Sequence, residues 1–464
     1  MSTPVIWILL PLALSILLLG LQRFQRLSLV MGGGVLLALA WSAGKLPIDQ
    51  TFKIGPVSLR IADTLEVSGR TFVLGEAARP FLVLLFVLAA FWYFGALAAH
   101  VNSLFAPVGL AMLGFFVAAL SVQPFLYSAL LIEMAVLVSI PMLSPPHEPV
   151  RSGLTRYLIF LTLAMPFILF SGWMLTGVEA GNADINLPLR AGLLLGLGFA
   201  LLLALFPFHS WIPLLAEQNH PYVTGYVFLL LQTVVLLFAV SLLDRFTWLR
   251  STTVLYDVLR LAGVLMVVTG GGIAAFQRHL GRIMGCAILF ESGFSLLAIS
   301  ISGQAGMEIF SMLFLPRAVA IGVWALSLSA LRGVSGGLGF QDVVGIGRRY
   351  PLPSAGIILA NLTLVGLPLL ASFPVKLALL ENLAVRFPIV AIWTMLGMVA
   401  LLVAGLRSLA VLSNGDQWSH ARGVHWSTEA LLGVGMGILI LAGLLPQVFL
   451  APLLALLKSF AHLL

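Results

Sequence analysis

Apolar residues along this chain come in long runs, not at the alternating or 3.6-residue spacing of a half-buried soluble strand or helix. The runs fall near 4–22, 27–43, 79–99, 104–122, 124–143, 154–176, 187–207, 222–243, 254–275, 283–301, 309–331, 354–385, 387–412 and 429–461. Most have the length of about 18–25 residues that a helix needs to cross the hydrocarbon core. The pattern therefore predicts an all-α polytopic membrane protein with about fourteen transmembrane helices. The last run is long, and Pro446 is expected to kink it. The pattern changes character once, over residues 44–78. There Thr51-Phe-Lys-Ile54 and Val57-Ser-Leu-Arg-Ile61 alternate on either side of Gly55-Pro56. This reads as a small β-hairpin near 50–62, with a disordered loop as the alternative.

Two of the runs are interrupted. In Ala204-Leu-Phe-Pro-Phe-His-Ser-Trp-Ile-Pro213, Pro207 and Pro213 lack the N–H that a continuing helix needs. In Gly366-Leu-Pro-Leu-Leu-Ala-Ser-Phe-Pro-Val-Lys376, Pro368 and Pro374 do the same. A membrane helix breaks in this way only where protein or a water-filled cavity covers the freed backbone groups. One broken helix in each half is the pattern of an inverted-repeat transporter with its site near the bilayer midplane.

Composition narrows the class. The chain has 464 residues, 61% hydrophobic and 9% charged, against about 25% charged in a soluble domain. Its net charge of +7 is spread thinly over short loops, which reads as membrane orientation and not as nucleic-acid binding. The single cysteine, Cys286, leaves no intramolecular disulfide and no cysteine-cluster metal site. No basic segment precedes the first apolar run, so the N-terminus reads as a retained helix. With alternate loops assigned to two faces, one face carries Arg23, Arg26, Arg151, Arg156, Arg278, Arg282, Arg332, Arg348, Arg349, Arg407 and Arg422. The other carries a similar number, many in the 44–78 loop; discounting that loop places the first face inside and both termini outside. No span offers the histidine pairs that ligate haem, and there is no nucleotide motif, so no cofactor is expected.

A charge at the bilayer centre costs on the order of 2.5–3.5 kcal/mol on insertion scales, so each one needs a reason. Four stand out: Glu133, Glu291, Arg317 and Lys376. Glu133 has no partner three or four residues away on its own helix, the positions that face it. It reads either as a titrating carboxylate on a proton route or as a structural acid bonded to another helix. Lys376 lies just past the second break, where freed carbonyls can hold it, and a buried lysine also suits proton carriage. Glu291 and Arg317 belong to consecutive spans and can pair, as a structural tie or as part of a polar path. Arginine hardly deprotonates, so Arg317 suits an electrostatic anchor. His209, at the first break, can shuttle protons or simply be a satisfied helix-break histidine. Gln232 and Thr233, mid-span, can hold water but cannot titrate.

With these residues located, the chain resembles the antiporter-like membrane subunits of respiratory complex I, shared with Mrp cation/proton antiporters and membrane-bound hydrogenases. Pro207-Phe-His-Ser-Trp-Ile-Pro213, with Trp211 at its centre, is similar to that family's Pro-x-His-x-Trp-Leu-Pro. Gly366 to Lys376 resembles its Gly-x-Pro-x-x-Ala-Gly-Phe-x-x-Lys. Glu133 falls in the fifth span, where the family keeps a glutamate. Arg282 with Gly293-Phe294, and Gly443-Leu-Leu-Pro446, resemble two further segments. The resemblance implies two inverted five-helix repeats with helices 7 and 12 broken. It divides the chain into 1–103 (helices 1–3 and the hairpin loop), 104–246 (first repeat), 251–412 (second repeat) and 413–464 (last helix). It also implies a row of charged residues and water along the midplane, homologous membrane subunits alongside, and a peripheral redox arm with quinone and iron–sulfur subunits. The location it implies is a bacterial cytoplasmic (inner) membrane.

The chain departs from that pattern chiefly in its first repeat. Leu202 stands where the family has the lysine that partners the fifth-span glutamate, and Gln232 or Thr233 where it has a lysine in the eighth span. Gly281 replaces the lysine before Arg282, Leu214 the acid after the Trp-Leu-Pro motif, and Arg317 is the one basic residue where the eleventh span often carries two histidines and a lysine. Two readings follow. Either protons take a rerouted path over Glu133, Glu291 and Lys376, in a subunit of an NADH:quinone oxidoreductase-like complex or of an Mrp-type antiporter, or the chain is a non-pumping scaffold of such a membrane arm.

Overall fold

The computed structural model describes residues 2–49, 51–54, 57–144, 151–179, 187–415 and 424–463. A π-helical turn, Val5–Leu9, leads into α1 (Leu10–Gly20) and then α2 (Gln25–Lys45). A small extramembrane unit follows: β1 (Thr51–Ile54), β2 (Val57–Arg60), β3 (Thr64–Val67) and β4 (Arg70–Val73). Next come α3 (Arg79–Ala99), α4 (Phe105–Ser121), β5 (Val122–Gln123), α5 (Leu126–Leu143), α6 (Ser152–Glu179), α7 (Leu187–Leu202), α8 (Trp211–Gln218) and α9 (Pro221–Arg245). The second half holds α10 (Thr247–Ser251), α11 (Thr253–Phe276), α12 (Leu280–Ser300), α13 (Gly303–Met312), α14 (Phe314–Ser335), α15 (Ile346–Arg349), α16 (Pro351–Val365), α17 (Phe373–Arg386) and α18 (Pro388–Ser413). The chain closes with α19 (Trp426–Leu444), α20 (Pro446–Leu450) and two 3-10 segments, Ala451–Ser459 and Ala461–Leu463.

Ten of the described helical stretches are long and apolar enough to cross a membrane, and five shorter apolar ones accompany them. Prolines mark many starts: α3, α9, α16, α17 and α18 each carry one in the first two positions, where the missing N–H has no partner to lose. Burial sorts the helices by place. Every residue in the membrane window of α12 is buried, and nearly all of α9. Both sit at the centre, α12 packed by α8, α9, α11, α14, α16 and α18. Helices α2, α6, α11, α18 and α19 bury less than half of theirs and turn leucine, isoleucine and valine outward, as lipid-facing helices do.

The hairpin near 50–62 is present as an antiparallel pair, Thr51 opposite Arg60 and Ile54 opposite Val57; Gly55 and Pro56 lie outside the described residues, as does Arg422. A second sheet was not expected. β3 and β4 form a hairpin over Ser68-Gly69, both with positive φ (53° and 74°), the requirement of a two-residue turn that matches strand twist. β5, two residues between α4 and α5, adds to its edge.

Several expected spans are shorter or subdivided. The run 309–331 is α13 and α14, parted at Leu313; Pro316 offers no N–H to the carbonyl of Met312 four residues back. The run 354–385 is α16 and α17, separated by residues 366–372. Pro446 ends the last helix instead of kinking it: α19 stops at Leu444, and the rest lies against α13, α3 and the end of α9, where the Asp244 carboxylate accepts from the backbone N–H of His462. Pro213 and Pro374 do not break their helices. They sit in the first turns of α8 and α17, and the interruptions themselves hold Pro207 and Pro368.

Candidate functional site

The second interruption builds a sealed ionic cluster. Gly366 ends α16 in the left-handed conformation, φ 87°, which an L-residue adopts only under strain. A Cβ there would also lie 2.9 Å from Cδ of Lys376. The chain re-enters as α17 after seven residues, and Lys376 in its first turn reaches back across the gap. Its ammonium donates to the carbonyl oxygen of Leu364, one of those freed at the end of α16. It also pairs with Oε1 of Glu291 on α12 at 2.5 Å, each side chain 1% exposed. The other carboxylate oxygen, Oε2, faces Nε of Arg317 on α14 at 3.5 Å. Arg317 Nη2 donates to the Glu291 backbone carbonyl at 2.8 Å and to Oγ of Ser295 one turn on. Phe290 and Phe294 present their rings to the Lys376 ammonium, 4.7 and 4.2 Å from the centroids, a contact that favours a cation in a dry site.

Thus the expected Glu291–Arg317 pair exists, and Lys376 completes it as a third member. That third contact has no signal in the sequence, since Glu291 and Lys376 lie 85 residues apart. The neighbouring Ser292 hydroxyl is within hydrogen-bonding distance of Gln232 Oε1 on α9, 3.0 Å. Gln232 Nε2 and Thr233 Oγ1 stay buried with no protein partner. A polar line therefore leads from the cluster into the first half.

The first half is arranged differently. Glu133 on α5, 8% exposed, accepts one hydrogen bond, from Oγ1 of Thr162 on α6 at 2.6 Å. Its second oxygen, Oε2, has no protein partner, and no cation pairs with it among the described residues. Thr162 sits on the exposed side of α6, and Met134 and Leu137 beside Glu133 also face outward. Leu202, at the end of α7, is buried and apolar. At the first interruption His209 is half-buried, stacked on Phe206 at 5.5 Å, with its Nδ1 unpartnered. Trp211 opens α8, fully buried between Tyr157 and Phe228, centroids 5.4 and 5.8 Å away. Tyr157 in turn shares a hydrogen bond with Ser139 at 2.9 Å. Trp211 is a packing post of the break; His209 and Glu133 are not brought into contact.

Charged groups gather at the helix ends. Arg282 pairs with Glu217 at 2.7 Å, and Arg332 donates to the Asn219 carbonyl at 2.6 Å. His279 caps α12 through Nδ1, accepting from Gly281 N–H at 3.1 Å. Burial lowers its proton affinity, with Glu217 pulling the other way. His220, at the start of α9 and 3.1 Å from the Ser329 hydroxyl, is pushed down to about 4 by burial and by the nearby Arg332.

An all-helical membrane body with two interrupted helices, one of them closing over a buried lysine–glutamate–arginine cluster, defines a polytopic membrane protein with a charged site in its core. Residues 174–406 match the family described as NADH:quinone oxidoreductase/Mrp antiporter, TM. The chain belongs to this family. Among relatives, NADH-quinone oxidoreductase subunit N of Deinococcus radiodurans is 26% identical over 275 residues, covering 57% of this chain and 54% of the relative. The chain thus spans about half the length of that relative in the alignment. NADH-quinone oxidoreductase subunit 14 of Thermus thermophilus is 27% identical over 423 residues, covering 86% of this chain and 92% of the relative. Among solved structures, one chain of the membrane-bound sulfane sulfur reductase, an archaeal respiratory membrane complex, superposes with a TM-score of 0.79 at 17% identity, covering 100% of both chains. That likeness is one of fold.

Proposed function

We propose that this chain is a proton-translocating, antiporter-like subunit of an energy-converting membrane complex of the NADH:quinone oxidoreductase type, and that its second half carries the proton. The supporting observation is the cluster at the second interruption: a lysine able to gain or lose a proton, held between a freed carbonyl and a carboxylate, sealed from lipid. A lysine is suited to this because its ammonium can give up a proton, which a guanidinium cannot. The complex would supply homologous membrane subunits and a peripheral redox arm with quinone and iron–sulfur subunits, in a bacterial cytoplasmic membrane. The chain itself would contribute no redox centre.

The two-repeat reading fits the order of elements. Taking α7/α8, α13/α14 and α16/α17 each as one crossing gives fourteen crossings, with α4–α9 and α11–α18 as five-crossing units. In each unit the second crossing carries a glutamate, the third a polar side chain facing its carboxylate and the fourth the interruption. The sets are Glu133, Thr162 and a break after Leu202; and Glu291, Arg317 and a break before Lys376. The lysine–glutamate pair thus lies in the second unit, and the first unit, with no cation paired to Glu133 among the described residues, serves as a scaffold.

The test is proton translocation by the assembled complex in sealed vesicles, with electron transfer measured in parallel. Lys376→Ala should lower the protons moved per electron while the complex stays intact. An unchanged ratio in an intact complex would make the whole chain a scaffold.

A further inference from the structure

The buried cluster contains three ionisable groups, and one of them never exchanges a proton. A guanidinium stays charged at any accessible pH. Arg317 is 2% exposed and takes hold of Glu291 through both its carboxylate, at 3.5 Å, and its backbone carbonyl, at 2.8 Å. Lys376 holds the opposite carboxylate oxygen. The two cations therefore bracket one anion, and the cluster carries one positive charge when all three groups are ionised.

Consider what remains when Lys376 gives up its proton. With Arg317 present, a neutral arginine–carboxylate pair stays behind. Without Arg317, a bare carboxylate would be left in a dry site, at a desolvation cost that such sites do not tolerate. The surroundings offer no substitute. Among the described residues the buried charged side chains are Glu133, Glu291, Arg317 and Lys376. Helix α9 meets α12 there through the neutral Gln232, and α16 through the Leu364 carbonyl, also neutral.

We propose that Arg317 is a positioning residue that assigns the exchangeable proton to Lys376: its fixed charge remains beside the Glu291 carboxylate as counter-charge when the lysine gives up its proton. The proposal rests on the proton-carrying reading of Lys376. In the first half the equivalent contact to the glutamate comes from a neutral hydroxyl, that of Thr162. The device is therefore a property of the second half alone.

Protons moved per electron are measured against pH in vesicles holding the assembled complex, for wild type, Lys376→Ala, Arg317→Gln and Arg317→Lys. A ratio that Lys376→Ala leaves unchanged overturns the transport reading itself, whatever Arg317 does. Where Lys376→Ala lowers the ratio, the proposal predicts that Arg317→Gln moves the midpoint upward by about one pH unit or more, a tenfold tighter hold on the proton. Arg317→Lys, which restores a cation, brings it back toward wild type. An Arg317→Gln complex with the wild-type midpoint overturns the role of Arg317 and leaves Lys376 in place. If Arg317→Gln does not assemble, Glu291→Gln is compared with Glu291→Gln/Arg317→Gln. The double variant should have the higher midpoint, and equal midpoints overturn the proposal. Infrared difference spectra give a readout independent of transport. A carboxylic-acid band should be absent from wild type and appear on acidification of Arg317→Gln, and its loss in Glu291→Gln/Arg317→Gln assigns it to Glu291; such a band in wild type that Glu291→Gln removes overturns the proposal.

Discussion

Glu133 and Glu291 are both buried carboxylates in the middle of a membrane helix, yet their surroundings share almost nothing. Glu291 lies on a helix with no exposed face and touches two cations. Glu133 has one hydroxyl partner, a free oxygen and neighbours that face outward. A carboxylate that must carry charge in a dry site needs counter-charge and packing. One that stays a neutral acid needs only a hydrogen bond. The contrast separates a carboxylate given counter-charge from one given a single hydroxyl, within a single chain.

The largest expected effect comes from removing the anion of the charged site. Glu291→Ala leaves Arg317 and Lys376 buried with no counter-charge, a loss of about 3–5 kcal/mol for a broken buried pair. The amount of assembled complex in membranes should fall, and the triple replacement Glu291→Met/Arg317→Met/Lys376→Met should restore it. Equal assembly of both variants would mean the cluster is not held by charge. Next in size is transport. Lys376→Ala should lower protons per electron more than Glu133→Gln does, and the reverse order would move the working site to the first half. The acid response of the helix ends should be intermediate. His220 binds a proton near 6.5 when unfolded and near 4 when folded, so the unfolded state takes up protons first. Stability should therefore fall as the pH drops from about 6.5 to 4. His220→Asn should flatten that part of a thermal-denaturation profile in detergent. The smallest effect is Thr162→Val, which removes the one partner of Glu133 and should cost about 1 kcal/mol, visible as a small fall in melting temperature with transport unchanged.

Much of this molecule could be read from the chain. Uninterrupted apolar runs fix the fold class because lipid leaves a spanning segment no alternative to a helix. Pro207 and Pro368 mark the two interruptions for the same reason, since a missing N–H is a local fact. Pro213 and Pro374 misled because the same residue that ends a helix also starts one. The second sheet stayed hidden because its third strand is two residues long and lies between two membrane helices. Glu291 and Arg317 could be matched as neighbours on consecutive spans. The third partner could not, because the approach of α17 to α12 is set by how α16 stops, and no local spacing encodes that. Thr162 was invisible for a related reason: a threonine on an apolar helix gives no sign of which helix it faces.

The spacing of the charged trio along the chain also bears on how the protein is made. Glu291 and Arg317 are 26 residues apart, on neighbouring helices, while Lys376 arrives 85 residues after the glutamate. A lone carboxylate or guanidinium entering lipid costs on the order of 2.5–3.5 kcal/mol each. Entering together, as the paired strokes of a helical hairpin, the first two cancel most of that. The contact between α12 and α14 is then complete during synthesis before the lysine is made.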